Sequence, residues 1–286
     1  MKYAVMDANV PEFSVTMMSR LLEVSRSGFY RWLGRTPSKL AQRRALVTHA
    51  VVDVYHRFEK RYGAPRIAVE LNESDIPCSV NHVAKLLKEN ELKARNGKSF
   101  KYTPSVEART NVADNLLNRQ FSVEAPNLKW VSDITYIKVG REWLYLAVVM
   151  DLYSRKVIGW ALDNHMRESL IIEAFEMAAS LRKLKANALI HSDRGVQYRG
   201  NRYQQILLDN QVQCSMSRKG NCWDNAVMEA FFGRFKVELI YAENYKTFDE
   251  AKAGIFEYIE MFYNSVRRHS ALGYMSPNEF ERKPNG

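Results

Sequence analysis

The chain has 286 residues, 46% of them apolar, which is enough for a sizeable core in two or three modules and too apolar for global disorder. Its longest purely apolar run, WLYLAVVM at 143–150, is far short of the roughly 20 residues that span a bilayer. No apolar stretch follows a basic start at the N-terminus, so no signal peptide and no membrane span are expected, and a soluble cytoplasmic protein is. The formal net charge of +10 is unevenly spread: residues 1–120 carry 20 Lys and Arg against 12 Asp and Glu, residues 121–286 carry 22 against 20. A basic N-terminal part calls for a polyanionic partner, with nucleic acid the natural candidate. Cys78, Cys214 and Cys222 have neither C-x-x-C nor zinc-finger spacing and read as reduced structural thiols.

Residues 1–36 predict a helix-turn-helix. Ser14 caps a first helix with Met17, Leu21 and Leu22 on its inner face; Ser25 or Ser27 caps a second, from which Phe29, Trp32 and Leu33 pack back. A second helical module is expected over 37–95: a long helix at 39–61, then a helix pair with Ser79 as cap. The last helix would expose Asn81, His82, Lys85 and Lys88, residue types that touch bases and phosphates. A plain helical packing module fits the same pattern. The Pro-, Ser- and Gly-dotted residues after 95 predict a basic linker over 96–125.

From residue 126 the texture becomes α/β. Strands are expected at 129–139, 143–151, 156–162, 188–191 and 212–216, with helices at 168–181, 201–210 and 224–241. Three meander strands followed by a crossover helix into a new strand imply a mixed five-stranded sheet flanked by helices. This core is expected over 126–242, with a C-terminal helical extension over 243–286.

Asp133 falls inside the first strand, Asp193 just past the fourth, and Glu229 on the last helix of the core. An acid inside an apolar strand is costly unless it is paired or ligates a metal. If the first and fourth strands are neighbours, three carboxylates gather with no cation among them, a donor set suited to Mg²⁺ or Mn²⁺. Two such ions about 3.5–4 Å apart would serve in-line displacement at phosphorus. On the residues alone, Asp193 is equally readable as a turn residue, Glu229 as a solvated helix acid, and Asp133 as a capped strand acid.

The segments WVSDITY (130–136), LYLAVVMDLYSR (144–155), HSDRGVQY (191–198) and DNAVMEAFFGRFKVE (224–238) resemble the OrfB subunit of bacterial insertion-sequence transposases, as do YGAPRI (62–67) and YNSVRRHSALGYMSP (263–277). The resemblance covers nearly the whole chain, with its motifs in order. It implies the retroviral integrase superfamily: an RNase H-like fold and a DDE triad carried over to Asp133, Asp193 and Glu229. Thirty-five residues separate the last two, as in the family. It implies Mg²⁺, with Mn²⁺ able to substitute, at two ions per active site, and cleavage and joining of DNA. It also implies a basic residue seven positions after the Glu, here Lys236, on the face of Glu229 where it meets a DNA phosphate. Arg194, Trp223 and Asn225 are further candidates for contact with the transferred strand, and Arg267 and Arg268 for contact with the DNA backbone. Expected partners are transposon ends and target DNA, further copies of this chain in a homo-multimer, and an OrfA partner or fusion, since the chain lacks a sustained heptad pattern. The site of action would be the bacterial nucleoid. The other readings are a DNA-binding regulator without catalysis and an RNase H-like nuclease that does not transpose.

Overall fold

A computed structural model describes residues 1–95, 112–219 and 221–283, apart from the side chain of Cys222. The expected linker lies in part (96–111) outside the described residues.

Three short helices open the chain: α1 (Lys2–Ala8), α2 (Val15–Leu21) and α3 (Arg26–Leu33). Ser14 and Ser25 cap the second and third, their hydroxyls accepting from the Met17 and Gly28 amides at 3.3 and 3.0 Å. The first helix was not expected, and it changes which faces are buried. The small core is Met6, Met18 and Phe29. Met17, Leu21 and Leu33 are exposed, and Trp32 lies at the surface. Met6 on α1 draws Met18 inward, so the face read for the second helix is turned by about one residue, or roughly 100°.

Helices α4 (Lys39–Arg57), α5 (Ala64–Glu73) and α6 (Val80–Glu89) follow, the last capped by Ser79. Their apolar faces do not close on themselves. Val47, Val54, Ile67, Leu71, Val83 and Leu86 belong to one cluster with residues of the sheet and the C-terminal helices. This helical region therefore shares a core with the α/β region.

The sheet comprises β1 (Lys129–Val139), β2 (Glu142–Asp151), β3 (Val157–Asp163), β4 (Leu189–Ser192) and β5 (Gln213–Met216) in the order β3-β2-β1-β4-β5. The meander strands pair antiparallel; β4 lies parallel to both β1 and β5. On one face pack α7 (Glu168–Leu181) and α8 (Asn201–Asp209), over Trp130, Val149 and Ile190. Gly159 lets α7 approach: a Cβ there would stand 2.1 Å from the Ala174 carbonyl oxygen. On the other face lies α9 (Ala226–Phe235), which runs on as a π-helix over Lys236–Ile240. Then come α10 (Phe248–Phe256), itself extended by a π-helix over Glu257–Tyr263, and α11 (Pro277–Arg282). Residues 112–125, expected within an exposed linker, pack on the sheet instead: Leu117 is fully buried, and the Leu116 and Leu117 amides both donate to Ser215 Oγ.

Candidate active site

The parallel pairing of β1 with β4 places the acids. Val131 stands opposite His191, and two residues further along each chain are Asp133 and Asp193. Strand alternation puts Asp133 in line with Val131 and Ile137, which face the core formed with α9. The first turn of α9 carries Glu229, and its junction with the π-helix carries Lys236.

Burial pushes the pKa of Asp133 well up, and the negative charges of Asp193 and Glu229 push it further; Lys236 opposes them. It accepts a local hydrogen bond from the Ile134 amide at Oδ1, 2.8 Å away. Asp193 keeps an exposed surface, yet enough protein surrounds its carboxyl for desolvation to raise its pKa, against a hydrogen bond from the Gly195 amide at 2.8 Å. Glu229 is exposed and raised by desolvation. Among the described residues no three His, Cys, Asp or Glu side chains converge closely enough to hold one ion. The Asp133–Asp193 pair is the tighter unit, with Glu229 at its edge. That arrangement still fits Mg²⁺, which is often held by one or two carboxylates while waters and substrate phosphates fill the remaining positions.

Lys236 is buried, with Nζ 4.5 Å from the Tyr136 ring centroid. Desolvation lowers its pKa, and Asp133 restrains the fall. It thus packs from the helix over Tyr136 of β1, beside Asp133, and not on an open helix face. Beneath the acids, Ser132 on the opposite face of β1 is 3.0 Å from Tyr198 Oη. His191 is fully buried between Ser215 and Ser217, and burial pulls its pKa down to about 4, so it is a neutral packing residue.

The other candidates divide. Trp223 is 68% exposed, open to contact as expected. Arg194 donates from Nε to the Ser217 carbonyl at 2.6 Å. Asn81, His82, Lys85 and Lys88 are exposed on α6, as expected. Asn225 is buried, away from the solvent a nucleotide would come from. Arg267 and Arg268, expected at the DNA backbone, are internal. Arg267 is 3% exposed and clamps Glu238 through Nε and Nη2 at 2.7 and 2.6 Å; Arg268 pairs with Glu70 and Glu73 of α5. Their acidic partners lie too far away in sequence for a basic run to reveal them.

Sequence reasoning also missed Asp224. It is fully buried and receives hydrogen bonds from Arg218 and Arg119, which hold its pKa far below the usual carboxylate range. Asn115 donates to the same carboxylate at 2.8 Å. The cluster ties residues 115–119 to the entry of α9, and only the DN pair at 224–225 hinted at it.

A search of protein families matches the chain to the "Integrase core domain" at residues 123–222 and again, by a second model of that description, at 229–284; an "HTH-like domain" matches residues 41–100. The chain is 40% identical over 286 residues to "Transposase InsF for insertion sequence IS3A" of Escherichia coli (strain K12), covering 99% of both chains. It belongs to the transposases of IS3-type insertion sequences. A further relative is the "Insertion element IS600 uncharacterized 31 kDa protein" of Shigella sonnei, 38% identical over 266 residues, covering 93% of this chain and 98% of the relative. Among solved structures, the transposase is similar to the simian T-cell lymphotropic virus intasome in complex with PP2A regulatory subunit B56 gamma, at 13% identity and a TM-score of 0.46, over 82% of this chain and 75% of that one. It is also similar to the HTLV-2 integrase catalytic core domain in complex with magnesium, at 17% identity and a TM-score of 0.41, over 55% and 97%. The transposase binds DNA, and no helix among its described residues is long and apolar enough to cross a membrane.

Proposed function

We propose that Asp133, Asp193 and Glu229 are the catalytic triad of this transposase and hold two divalent cations, Mg²⁺ or in its place Mn²⁺. The observation that carries this is the parallel pairing of the two inner strands β1 and β4, which sets Asp133 beside Asp193 with α9 carrying Glu229 on the same face, and the raised pKa values of these like charges agree with it. Such ions supply a polarised phosphoryl oxygen and an activated nucleophile when bound. The residues of the chain do the rest. Asp133 is fixed by β1, which pairs on both sides. Asp193 is fixed by its turn to Gly195. Glu229, on the flank of α9, is the member with freedom to close onto a strand. Lys236 holds positive charge beside Asp133, where it favours the ionised carboxylate, and because it is buried its charge reaches a phosphate at the acids from behind them. Arg194 and the exposed Trp223 flank the opening, with Trp223 offering a ring on which an unstacked base can lie. The reaction is cleavage at a transposon end followed by attack of the freed 3′-hydroxyl on target DNA.

Residues 1–95 supply duplex contacts, with Asn81, His82, Lys85 and Lys88 on α6 as the reading surface. The division into modules at 1–36, 37–95, 126–242 and 243–286 follows from this assignment. A multimer must bring two ends together, and an OrfA segment, as partner or fusion, supplies the pairing device. The complex works at the bacterial nucleoid.

The experiment is joining of a labelled transposon end to plasmid DNA, with and without Mg²⁺, by the chain fused to an upstream segment. Asp133→Asn, Asp193→Asn and Glu229→Gln should each reduce cleavage and joining to background while DNA binding persists. A variant that keeps wild-type joining removes its residue from the triad. Cleavage without joining by the wild type would favour a plain nuclease.

A further inference from the structure

A cavity of about 380 Å³ opens on the flank of α9, between Ala230 of that helix, Arg66 of α5, Arg155 of the β2–β3 turn and the chain at 267–271. This is the size of sites that take small ligands. It is lined by four guanidinium groups, those of Arg66, Arg155, Arg234 and Arg267, and by His269. No carboxylate lines it. Glu238 neutralises Arg267 from behind. Arg66 and Arg155 donate to the backbone carbonyls of Arg268 and Phe121, at 2.8 and 3.0 Å, Arg66 also lies over the Tyr62 ring, and neither forms a salt bridge among the described residues. Arg234 is exposed, with no salt bridge to a carboxylate among the described residues.

Two buried nitrogens in this wall have no hydrogen-bond partner: Arg155 Nη1 and His269 Nε2. A buried donor left without an acceptor is costly, so orphans beside guanidinium groups that have no salt bridge among the described residues mark a place where an acceptor belongs. Burial and the surrounding Arg267, Arg66 and Arg155 keep His269 neutral. A neutral imidazole with its proton on Nε2 adds a donor without adding charge. Planar guanidinium forks suit the oxygens of a phosphate.

We infer that this cavity binds a phosphate group, and that in the transposase the group is a phosphodiester of the DNA strand engaged at the acids. The second part rests on the proposed role of Glu229. Arg234 lies five residues after Glu229 on α9, roughly 140° around the helix and 7–8 Å along it, so a strand leaving the acids passes the cavity mouth within one or two nucleotides. The site would hold the strand's path after the reacting phosphate is placed.

The test uses the full chain in chelator, so that it reads binding and not chemistry, and its failure leaves the triad assignment standing. Arg234 is exposed, so Arg234→Ala is expected to fold, which its melting curve checks; Arg234→Lys is the companion. Arg234→Ala should weaken binding of transposon-end DNA about fivefold and lower the slope of log affinity against log salt by about one, since one phosphate contact is lost; Lys should restore most of both. Replacing single phosphates by neutral methylphosphonates along the end should weaken the wild type at one position near the cleaved bond, and Arg234→Ala should be indifferent there. A second arm measures melting with inorganic phosphate or a deoxynucleoside monophosphate. Protection that Arg234→Ala loses, with DNA binding unchanged, would keep the phosphate site but assign it to free nucleotide, overturning the DNA part. No change in DNA affinity, salt slope or phosphate protection would overturn the whole inference.

Discussion

One helix carries two opposite solutions to buried negative charge. Near its start, Glu229 stands at the edge of a set of acids whose pKa values are raised although Lys236 acts on Asp133 and Arg199 on Asp193, and Lys236 is itself desolvated. Nine residues later, on the π-helical continuation, Glu238 is 2% exposed, yet its pKa is lowered: burial would raise it, and the two-pronged Arg267 outweighs burial. Tyr258 Oη donates to the same carboxylate at 2.9 Å, and Arg95 donates to the Glu238 carbonyl at 2.6 Å. The saturated cluster joins the helical region, α9 and the C-terminal helices. The unsaturated one is left for something the protein does not supply. A structural acid is recognised by its partners, and a functional one by their absence.

The comparison breaks first, and most visibly, at the saturated end. Glu238→Ala leaves Arg267 buried without a counter-charge and should cost about 3–5 kcal/mol, read as a shift in the urea midpoint. Loss near zero would mean that the cluster contributes nothing net. Asp224 comes next. Asp224→Asn should cost ~1–2 kcal/mol at neutral pH, discounted because Arg119 and Arg218 are partly exposed. The folded pKa of Asp224 is depressed, so its contribution is complete above the unfolded carboxylate value, about 3.9, and fades as pH falls through the folded value. Stability against pH should therefore be flatter below pH 4 in the Asn variant. The smallest effect has the opposite sign. The folded pKa of Asp133 is raised, so in chelator its ionisation opposes folding increasingly as pH rises from the unfolded value through the folded one. Asp133→Asn should stabilise the metal-free protein by about 1 kcal/mol at pH 7 and leave it unchanged near pH 3. Destabilisation at pH 7 would place Asp133 among the structural acids.

The catalytic half of the fold was legible because its signals are local. Alternation over KWVSDITYIKV and the apolar periodicity of ESLIIEAFEMAASL gave β1 and α7 their observed bounds. The crossover allowed the β1–β4 neighbourhood that draws Asp133 and Asp193 together, and the strands do pair. What escaped was long-range. The RRH run at 267–269 reads as a basic cluster for the DNA backbone, but Glu70, Glu73 and Glu238 pair with its arginines. The two motifs YGAPRI and YNSVRRH turn out to meet: Tyr62 Oη accepts from the Arg268 amide at 3.0 Å, and Arg66 Nε donates to the Arg268 carbonyl. Helix faces near the N-terminus were misread because α1, with no cap signal of its own, supplies the residue that decides them.

The contrast between the two ends of α9 turns on what neutralises the unsaturated acids. The direct measurement is a Mn²⁺ titration of the full-length protein, with bound ion counted by electron paramagnetic resonance and the melting temperature followed in the same samples. Wild type should bind Mn²⁺ and melt higher as it does so, with Mg²⁺ competing. Asp133→Asn should lose both the binding and the shift, while Asp224→Asn and Glu238→Gln keep them. Equal binding and equal shifts in wild type and Asp133→Asn would contradict the assignment of these acids as the metal site.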